Sequence, residues 1–521
     1  MFSTTLSGAL VGVEGAILQI EVDISNGFPG LEMVGLLGSE VKEAKERVKA
    51  AIKNLGITIP PKKILVNLSP ANVRKVGTAY DLPIAIGILK SLELLDKHST
   101  DKMLLLGELG LDGTLKAVSG VFPILVKAYK EGIKACIVAE DNVKEANLFG
   151  KIEVYGFSNV AEVVDFLKGK KAKKTSKTQH ILKEVENQEE KEEYSFEQIL
   201  GQESAKRAAL IAAAGEHNLL LIGPPGSGKT MVAKALSSIL PPLTDMEKME
   251  TASIESALGC LEENHFLKGQ RPFIQVHHSA TVNTLLGGGI VAKAGAMTLA
   301  HRGILFLDEL PEFHRNVLDV MRQPLEQRKI TLFRKGMMYQ FPADVMLVGA
   351  MNPCPCGFYP DKNKCQCMPY QIRKYVSHIS GPILDRMDMV AETIYLEPKE
   401  KKISGLHNVE FTTNHMKQRV INARNFQKER YQKLFEKKGD DYKSNGRLSS
   451  QEIEKSCFLS EEARKLLEEL QSTVIFSKRA YYSLLKVART IADLEESERI
   501  LENHMTLAAT YRLGGEKYFY G

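Results

Sequence analysis

The sequence predicts an α/β protein with several domains. Its 521 residues exceed what one ordinary hydrophobic core can serve and favour about two to four domains. Three short runs are apolar on both faces: 218–223 (NLLLIG), 303–308 (GILFLD) and 344–350 (DVMLVGA). Such runs are typical of parallel strands that helices cover on both sides. After about residue 396 the pattern becomes mostly helical, so we expect a parallel-sheet core followed by a helical region.

The first part of the chain alternates short β-rich runs with helical stretches. Gly15–Asp23 and Lys63–Leu68 are predicted strands, and Glu40–Asn54 has the periodicity of a helix with one charged face. We therefore assign residues 1–167 to an N-terminal domain.

The composition changes abruptly over residues 168–195, which begin with KGKKAKKTSK and later read EVENQEEKEE. Almost no side chain there is apolar, which predicts a solvated, charged linker; tethering of DNA by the lysines is an alternative. The α/β pattern then fills residues 196–395, the predicted core, and residues 396–521 form the predicted helical lid. Within the lid, Ser477–Glu495 is a predicted helix with Ser477 as its N-cap.

The overall composition is that of a globular protein, with 44% hydrophobic and 26% charged residues. The net charge is only +5, so any affinity for nucleic acid must come from local patches. The N-terminus lacks the basic region of a secretory signal, and no apolar run approaches the roughly 18–20 residues of a membrane helix. The cysteines number seven, an odd count that argues against a disulfide framework. We expect a cytoplasmic protein with no membrane partner.

Residues 223–230 form a predicted phosphate-binding loop. They lie between the strand NLLLIG and the helical stretch MVAKALSSIL, the context in which this motif holds a triphosphate. The glycines let backbone N–H groups turn toward the phosphates, and the helix N-terminus adds partial positive charge. We expect Lys229 to reach the β- and γ-phosphates of ATP and Thr230 to offer its hydroxyl to Mg²⁺. The predicted ATP-binding residues are Gly223, Pro224, Pro225, Gly226, Ser227, Gly228, Lys229, Thr230 and Asp308.

Two carboxylates end the second apolar run. Asp308 and Glu309 follow ILFL, which places them at the carboxyl edge of the sheet, where ligands bind in such folds. We expect Asp308 to hold Mg²⁺ together with Thr230, and Glu309 to polarise the attacking water as the catalytic base. Asn352, after the third run, is predicted to hydrogen-bond that water or the γ-phosphate, although Asn-Pro also fits a plain turn.

Two insertions interrupt this core. Residues 275–298 contain HHSATVNTLLGGG, which is too rich in glycine for a plain core helix, and its two histidines are interpreted as a polar pair. Residues 329–342 (KITLFRKGMMYQFP) predict a hairpin with Arg334 and Lys335 at its tip. These cations could bind DNA phosphates without reading sequence, or they could serve solubility alone.

Four cysteines crowd together after Asn352. Their number matches the four ligands of a tetrahedral Zn²⁺ site, although the C-x-C spacing is tighter than usual. Structural zinc, free thiols and a redox function are the three alternatives. The four residues are Cys354, Cys356, Cys365 and Cys367.

The order of these motifs resembles that of AAA+ ATPases, with Asn352 at the sensor-1 position. Residues 381–388 (GPILDRMD) resemble the segment that carries the arginine finger in magnesium chelatases and MCM helicases, which gives that role to Arg386. Arg479, in SKRA, resembles sensor 2 of the lid. For both arginines an ordinary surface ion pair is the alternative. An arginine finger acts on a neighbouring subunit's γ-phosphate, so the resemblance implies a ring, a homo-hexamer.

Over essentially its full length the chain is similar to the ComM/YifB family of magnesium-chelatase-like AAA+ proteins. The similarity rests on the N-terminal domain, the linker, the core with MNPCPCGFYP, and SKRAYYSLLKVARTIADLE. It implies a hexameric, ATP-driven motor on single-stranded or branched DNA that promotes branch migration in homologous recombination, notably natural transformation, with recombination proteins as candidate partners. A chelatase-like ATPase that remodels a protein partner is the alternative.

The N-terminal domain resembles Lon-type protease domains and domain 2 of ribosomal protein S5. In that comparison Ala79 stands where Lon proteases carry the nucleophilic serine, and Phe122 stands where they carry the catalytic lysine. Serine proteolysis needs a hydroxyl and a base to activate it. The resemblance therefore implies a domain without peptidase activity.

Overall fold

The computed structural model describes residues 1–170, 194–289, 292–334, 336–395, 409–436, 442–473 and 477–519. Most of the predicted linker, and Lys335 of the hairpin tip, lie outside these residues. The fold class is confirmed, with a mixed-sheet N-terminal domain, a parallel five-stranded core sheet and a helical C-terminal region.

The N-terminal domain is built on a seven-stranded mixed sheet in the order β3-β4-β2-β1-β5-β8-β9. Strands β1 and β2 form a long antiparallel hairpin, and β5, β8 and β9 continue the sheet in parallel. A two-stranded ribbon, β6 and β7, lies beside it. The strand bounds are β1 Phe2–Val11, β2 Glu14–Ser25, β3 Gly30–Val34, β4 Lys63–Ser69, β5 Met103–Leu105, β6 Glu108–Leu109, β7 Leu115–Lys116, β8 Ala135–Ala139 and β9 Glu153–Phe157.

The core sheet is parallel throughout, in the order β11-β14-β17-β10-β18. Every residue of β10, β14 and β17 is buried, as the runs apolar on both faces predicted. The bounds are β10 Leu219–Ile222, β11 Phe273–Val276, β14 Ile304–Leu307, β17 Met346–Met351 and β18 Met389–Glu392. Two antiparallel pairs stand apart from this sheet: β12 Gly287–Gly288 with β13 Lys293–Ala294, and β15 Lys329–Arg334 with β16 Met337–Pro342.

Helices cover both sheets and form most of the described C-terminal region. The predicted cap of the helix that begins at Lys478 is confirmed, since the Ser477 side chain accepts a hydrogen bond from the Ala480 N–H. The helices are α1 Ser39–Asn54, α2 Asp81–Ser91, α3 Val121–Lys130, α4 Val143–Phe149, α5 Val160–Leu167, α6 Glu203–Gly215, α7 Lys229–Ser238, α8 Asp245–Leu258, α9 Glu263–Lys268, α10 Val282–Leu286, α11 Ala296–Leu299, α12 Arg315–Val320, α13 Arg322–Gln327, α14 Pro369–Val376, α15 Gly381–Leu384, α16 Thr413–Phe435, α17 Ser450–Ser456, α18 Glu461–Thr473, α19 Lys478–Leu494, α20 Glu502–Leu513 and α21 Glu516–Phe519.

The N-terminal domain docks on the domain of the parallel sheet through α3, which packs against α8. The hydroxyl of Ser256 on α8 donates to Glu145 Oε1 at 2.5 Å, and it accepts from the Phe122 N–H at 3.3 Å. The Gly120 N–H donates to the Ser256 carbonyl at 3.0 Å, and the Phe122 ring packs edge-on against Phe266. Burial raises the pKa of Glu145, against the hydrogen bonds it accepts. Ser256 therefore joins the two domains at a dry, polar contact.

Replacing Ser256 by Ala should loosen this docking. The change leaves the Glu145 carboxyl one donor short in a buried place, a cost of about 1–2 kcal/mol. Amide hydrogen exchange followed by mass spectrometry should show Gly120 and Phe122 exchanging about five- to thirtyfold faster. The matched control is Ser253→Ala on the same helix, where the hydroxyl bonds only to the Met249 carbonyl of its own helix. Equal exchange in both variants would contradict the contact's importance.

Candidate functional site

The phosphate-binding loop turns between β10 and α7, as predicted. Gly226 and Gly228 have φ of 73° and 90°, a left-handed conformation that glycine adopts without strain. A Cβ at Gly223 would lie 2.1 Å from Thr393 Oγ1, so the loop also needs glycine for close packing. The Ser227 and Thr393 hydroxyls share a hydrogen bond of 2.6 Å, which links the loop to the residue that follows strand β18.

The ammonium group of Lys229 lies inside the loop. It donates to the carbonyls of Gly223 and Pro224 at 2.8 and 2.9 Å, and to Asn352 Oδ1 at 3.0 Å. Burial lowers the pKa of Lys229 to about 8, while Asp308 and Glu309 act in the opposite direction. The structure thus brings Lys229 and Asn352 together at the carboxyl edge of the sheet, with no full counter-charge in direct contact among the described hydrogen bonds.

The two predicted magnesium ligands also meet. Thr230 Oγ1 donates to Asp308 Oδ2 at 2.9 Å, and the other carboxylate oxygen of Asp308 accepts from the Glu309 N–H at 3.0 Å. A hydroxyl and a carboxylate side by side supply the hard oxygen ligands that Mg²⁺ prefers. These residues could hold the metal of a magnesium nucleotide, whose charge would neutralise the phosphates.

Glu309 has a partner that the sequence analysis missed. His278 Nδ1 lies 3.2 Å from Glu309 Oε2. His278 follows β11, the strand next to β14, so both side chains leave the same edge of the sheet. Glu309 itself has a φ of 52°, unusual for a residue with a side chain. Recognition of β11 in the sequence would have predicted this contact, because β11 lies next to β14 and places His278 beside the predicted base.

Arg386 and Arg479 converge on one carboxylate, Glu326 of α13. Arg386 donates to Glu326 Oε2 at 2.9 Å, and Arg479 lies 3.2 Å from Glu326 Oε1. Burial, and then the nearby Arg479, lower the pKa of Arg386. The Glu326 side chain is 58% exposed. Within this chain both arginines therefore form ion pairs, which the sequence analysis gave as the alternative to a role at the nucleotide. None of their described hydrogen bonds or ion pairs is to the phosphate-binding loop.

The four cysteines form a compact group whose sulfur atoms all lie within 4.8 Å of one another. The Cys354–Cys356, Cys354–Cys365 and Cys356–Cys365 sulfur distances are 3.4, 3.8 and 3.6 Å. A zinc tetrahedron with Zn–S of about 2.3 Å has edges of about 3.8 Å, so the residues fit that ion. The Gly357 and Tyr359 N–H groups donate to Cys354 Sγ, which fixes the position of that sulfur atom.

The cysteine group lies directly beside the phosphate-binding loop. A Cβ at Gly357, between the two cysteine pairs, would come within 2.4 Å of Pro225 Cδ. A structural ion here would therefore support the loop's outer wall.

Residues 329–342 form the predicted hairpin, with Arg334 half-buried at its end and Lys335 outside the described residues. In the N-terminal domain Ala79 and Phe122 are both buried, at 9% and 0% exposure. Phe122 is part of the docking contact with α8, so the position compared with a catalytic lysine serves packing instead.

Three family matches together span most of the chain. Residues 195–401 match the family described as magnesium chelatase, subunit ChlI. Residues 20–142 match subunit ChlI of Mg-chelatase, and residues 410–512 match the ChlI C-terminal family. In the described ranges, no helix is both long and apolar enough to cross a membrane.

Two relatives extend over nearly the whole chain, and a third covers about a third of it. The competence protein ComM of Haemophilus influenzae is 41% identical over 506 residues, covering 97% of this chain and 96% of that protein. YifB of Escherichia coli is 41% identical over 505 residues, with the same coverage. The magnesium-chelatase 38 kDa subunit of Cereibacter sphaeroides is 25% identical over 180 residues, 31% of this chain and 54% of that protein.

The low pKa of Lys229 predicts that affinity for magnesium-ATP falls above about pH 8. A triphosphate favours the charged ammonium, so binding must take up a proton at any pH where the free protein has lost it. The affinity should therefore fall by up to about tenfold per pH unit. Calorimetric titrations between about pH 7.5 and 9.5, where the phosphates are already ionised, measure this. Whatever affinity Lys229→Arg retains should stay level, because guanidinium keeps its charge. A level wild-type profile would rule the assignment out.

The cysteine geometry predicts about one zinc ion per chain in protein purified under reducing conditions without chelator. Elemental analysis should show Cys365→Ser losing most of the metal. Cys260→Ser is the matched control, since Cys260 is an exposed thiol outside the group. A wild-type protein free of zinc, with four titratable thiols at these positions, would instead support the free-thiol alternative.

Proposed function

The chain belongs to the ComM/YifB family of proteins with magnesium-chelatase ChlI domains, AAA+ ATPases, and from this premise we propose that it is an ATP-hydrolysing DNA motor. In this proposal it works as a homo-hexameric helicase that promotes branch migration during homologous recombination, including natural transformation. The observation that carries the ATPase part is the meeting of Lys229, Asn352, Thr230 and Asp308 at one edge of the core sheet.

Each of these side chains has a proposed task in hydrolysis. Lys229 would exchange its carbonyl and Asn352 partners for the β- and γ-phosphates. Thr230 and Asp308 would hold Mg²⁺, whose charge would neutralise the phosphates. Asn352 is released from Lys229 to orient the attacking water. Glu309 leaves His278 and accepts hydrogen bonding from that water as the base.

The proposed ring draws support from the common location of Arg386 and Arg479. Both arginines reach Glu326, so a neighbour that meets one of them meets both. In the proposed hexamer, the γ-phosphate in the next subunit replaces Glu326 as their partner and receives two guanidinium groups. Bidentate, charge-assisted donors of this kind stabilise the charge that develops in phosphoryl transfer.

DNA as the substrate is supported by the hairpin β15–β16. Its residues 329–342 include Lys329, Arg334 and Lys335 but no Asp or Glu, in a chain whose net charge is only +5. A local cationic element is what sequence-independent phosphate binding requires. The competing proposal, remodelling of a protein partner, is favoured by the 25% identity to a chelatase subunit, but that relative covers 31% of this chain.

Branch migration of a synthetic four-way junction tests the motor directly. Wild-type protein with ATP should convert the junction to duplex products, and its ATPase rate should rise when branched DNA is added. Glu309→Gln should bind ATP with unchanged affinity and lose more than about a hundredfold in hydrolysis, because the base is gone while the phosphate contacts remain. Lys229→Ala serves as the comparison that loses binding itself. ATP turnover without DNA stimulation, together with no salt-sensitive DNA binding, would favour the protein-remodelling proposal.

A further inference from the structure

The end of the β15–β16 hairpin carries an exposed apolar pair that phosphate binding does not explain. Phe333 is 69% exposed and Met338 is 55% exposed. The two residues are direct cross-strand partners, so their side chains stand together on one face of the hairpin. Two large apolar side chains left in water at one place cost free energy unless something covers them.

The opposite face of the same hairpin is buried against the core, which leaves the face of Phe333 and Met338 open to a partner. Ile330, Tyr339 and Phe341 are buried at 2%, 9% and 1% exposure and belong to the core around the parallel sheet. Phe341 also meets the turn of the N-terminal β1–β2 hairpin, where a Cβ at Gly12 would lie 3.3 Å from its ring. The hairpin is thus anchored along one face, and the other face is presented rigidly.

The charges of the hairpin indicate which kind of partner the Phe333–Met338 pair would bind. Arg334 follows Phe333, so its side chain starts from the other face of the strand; its guanidinium group turns back and donates to the Phe333 carbonyl at 3.0 Å. Lys329, at the other end of β15, lies on the same face as Phe333, because side chains alternate along a strand. The side chains between them on that face, Thr331 and Gln340, are neutral hydrogen-bonding groups. Residues 329–342 thus combine an exposed aromatic ring with a cation at the next position, a second cation farther along the same face, and no carboxylate. This combination complements a polyanion that also has flat apolar surfaces.

We propose that Phe333, with Met338 beside it, is a stacking platform for the unpaired bases of a single-stranded nucleic acid, whose backbone phosphates Arg334 contacts. Aromatic stacking accepts any base, since every base has a π-face, and the sulfur of Met338 packs against the ring edges. This inference rests on the proposed function and deepens it: the hairpin grips bases as well as phosphates. It also predicts a preference for unpaired over duplex DNA.

The chain contains no tryptophan, which gives a direct test. In Phe333→Trp the new indole is the protein's only one, and its emission should be quenched when an oligo(dT) strand binds the full-length protein. Phe28→Trp is the matched control: Phe28 is 91% exposed but lies beyond the far end of β2, about 40 Å from the Gly12 turn by strand length. Its emission should not change.

Affinity measurements separate stacking from charge. Phe333→Ala should weaken binding of oligo(dT) by about five- to one-hundredfold and leave its salt dependence unchanged. Arg334→Ala should lower the slope of log affinity against log salt by about 0.7. An abasic strand of equal length should bind wild type as weakly as oligo(dT) binds Phe333→Ala, and Phe28→Ala should match wild type throughout.

The outcomes distinguish this inference from the motor proposal. Wild-type protein that binds no DNA of any kind would overturn the DNA motor itself. Salt-sensitive binding with no tryptophan quenching and no loss in Phe333→Ala would overturn the stacking platform and leave the motor standing. A tryptophan signal that changes with protein concentration in the absence of DNA, and does not change further when oligo(dT) is added, would show that the pair packs against a second copy of the chain, and the inference would then be wrong.

Discussion

The nucleotide site depends on the hydrogen bonds of the half-buried ammonium group of Lys229. This ammonium joins the end of β10 to Asn352 at the end of β17, so two neighbouring strands and the loop between sheet and α7 share one group. A cation removed from water needs compensation, and two carbonyl dipoles and an amide supply only part of it. The depressed pKa of about 8 records that deficit. A phosphate group bound at this loop would supply the missing charge.

The second constraint is the docking of the N-terminal domain on α8. The segment around Phe122 packs here against Ser256 and Phe266. The Phe122 ring is fully buried, and the hydroxyl of Ser256 hydrogen-bonds the Glu145 carboxyl group and the Phe122 N–H beside it. Because the β1–β2 turn also meets Phe341 of the β15–β16 hairpin, the N-terminal domain stiffens the element that we propose grips DNA.

Local patterns were sufficient to predict the parts of the fold and site that depend on local chemistry. The runs buried on both faces became β10, β14 and β17, the glycine loop took its expected turn, and Ser477 capped its helix. Strands β11 and β18 were missed, because FIQV carries a glutamine and MVAE ends in a carboxylate, so neither is long or apolar enough to stand out. The His278–Glu309 contact was missed with β11. Glu326 could not be predicted, since only the folded chain brings α13 beside residues 60 and 153 positions later (386 and 479).

In the proposed ring, the shared carboxylate of Glu326 would let Arg386 and Arg479 change partner when a neighbouring subunit binds a triphosphate. Two guanidinium groups on one carboxylate leave an excess of one positive charge, and Arg386 is largely desolvated while Glu326 is 58% exposed. Exchange of Glu326 for a neighbour's γ-phosphate would cost little, because the released carboxylate returns to water, whereas the buried arginine gains a more highly charged partner. Hydrolysis and phosphate release would reverse the exchange. The same two arginines would therefore report to one subunit whether its neighbour holds a triphosphate, and this difference in partner is the physical basis on which sequential motion around the proposed ring would rest.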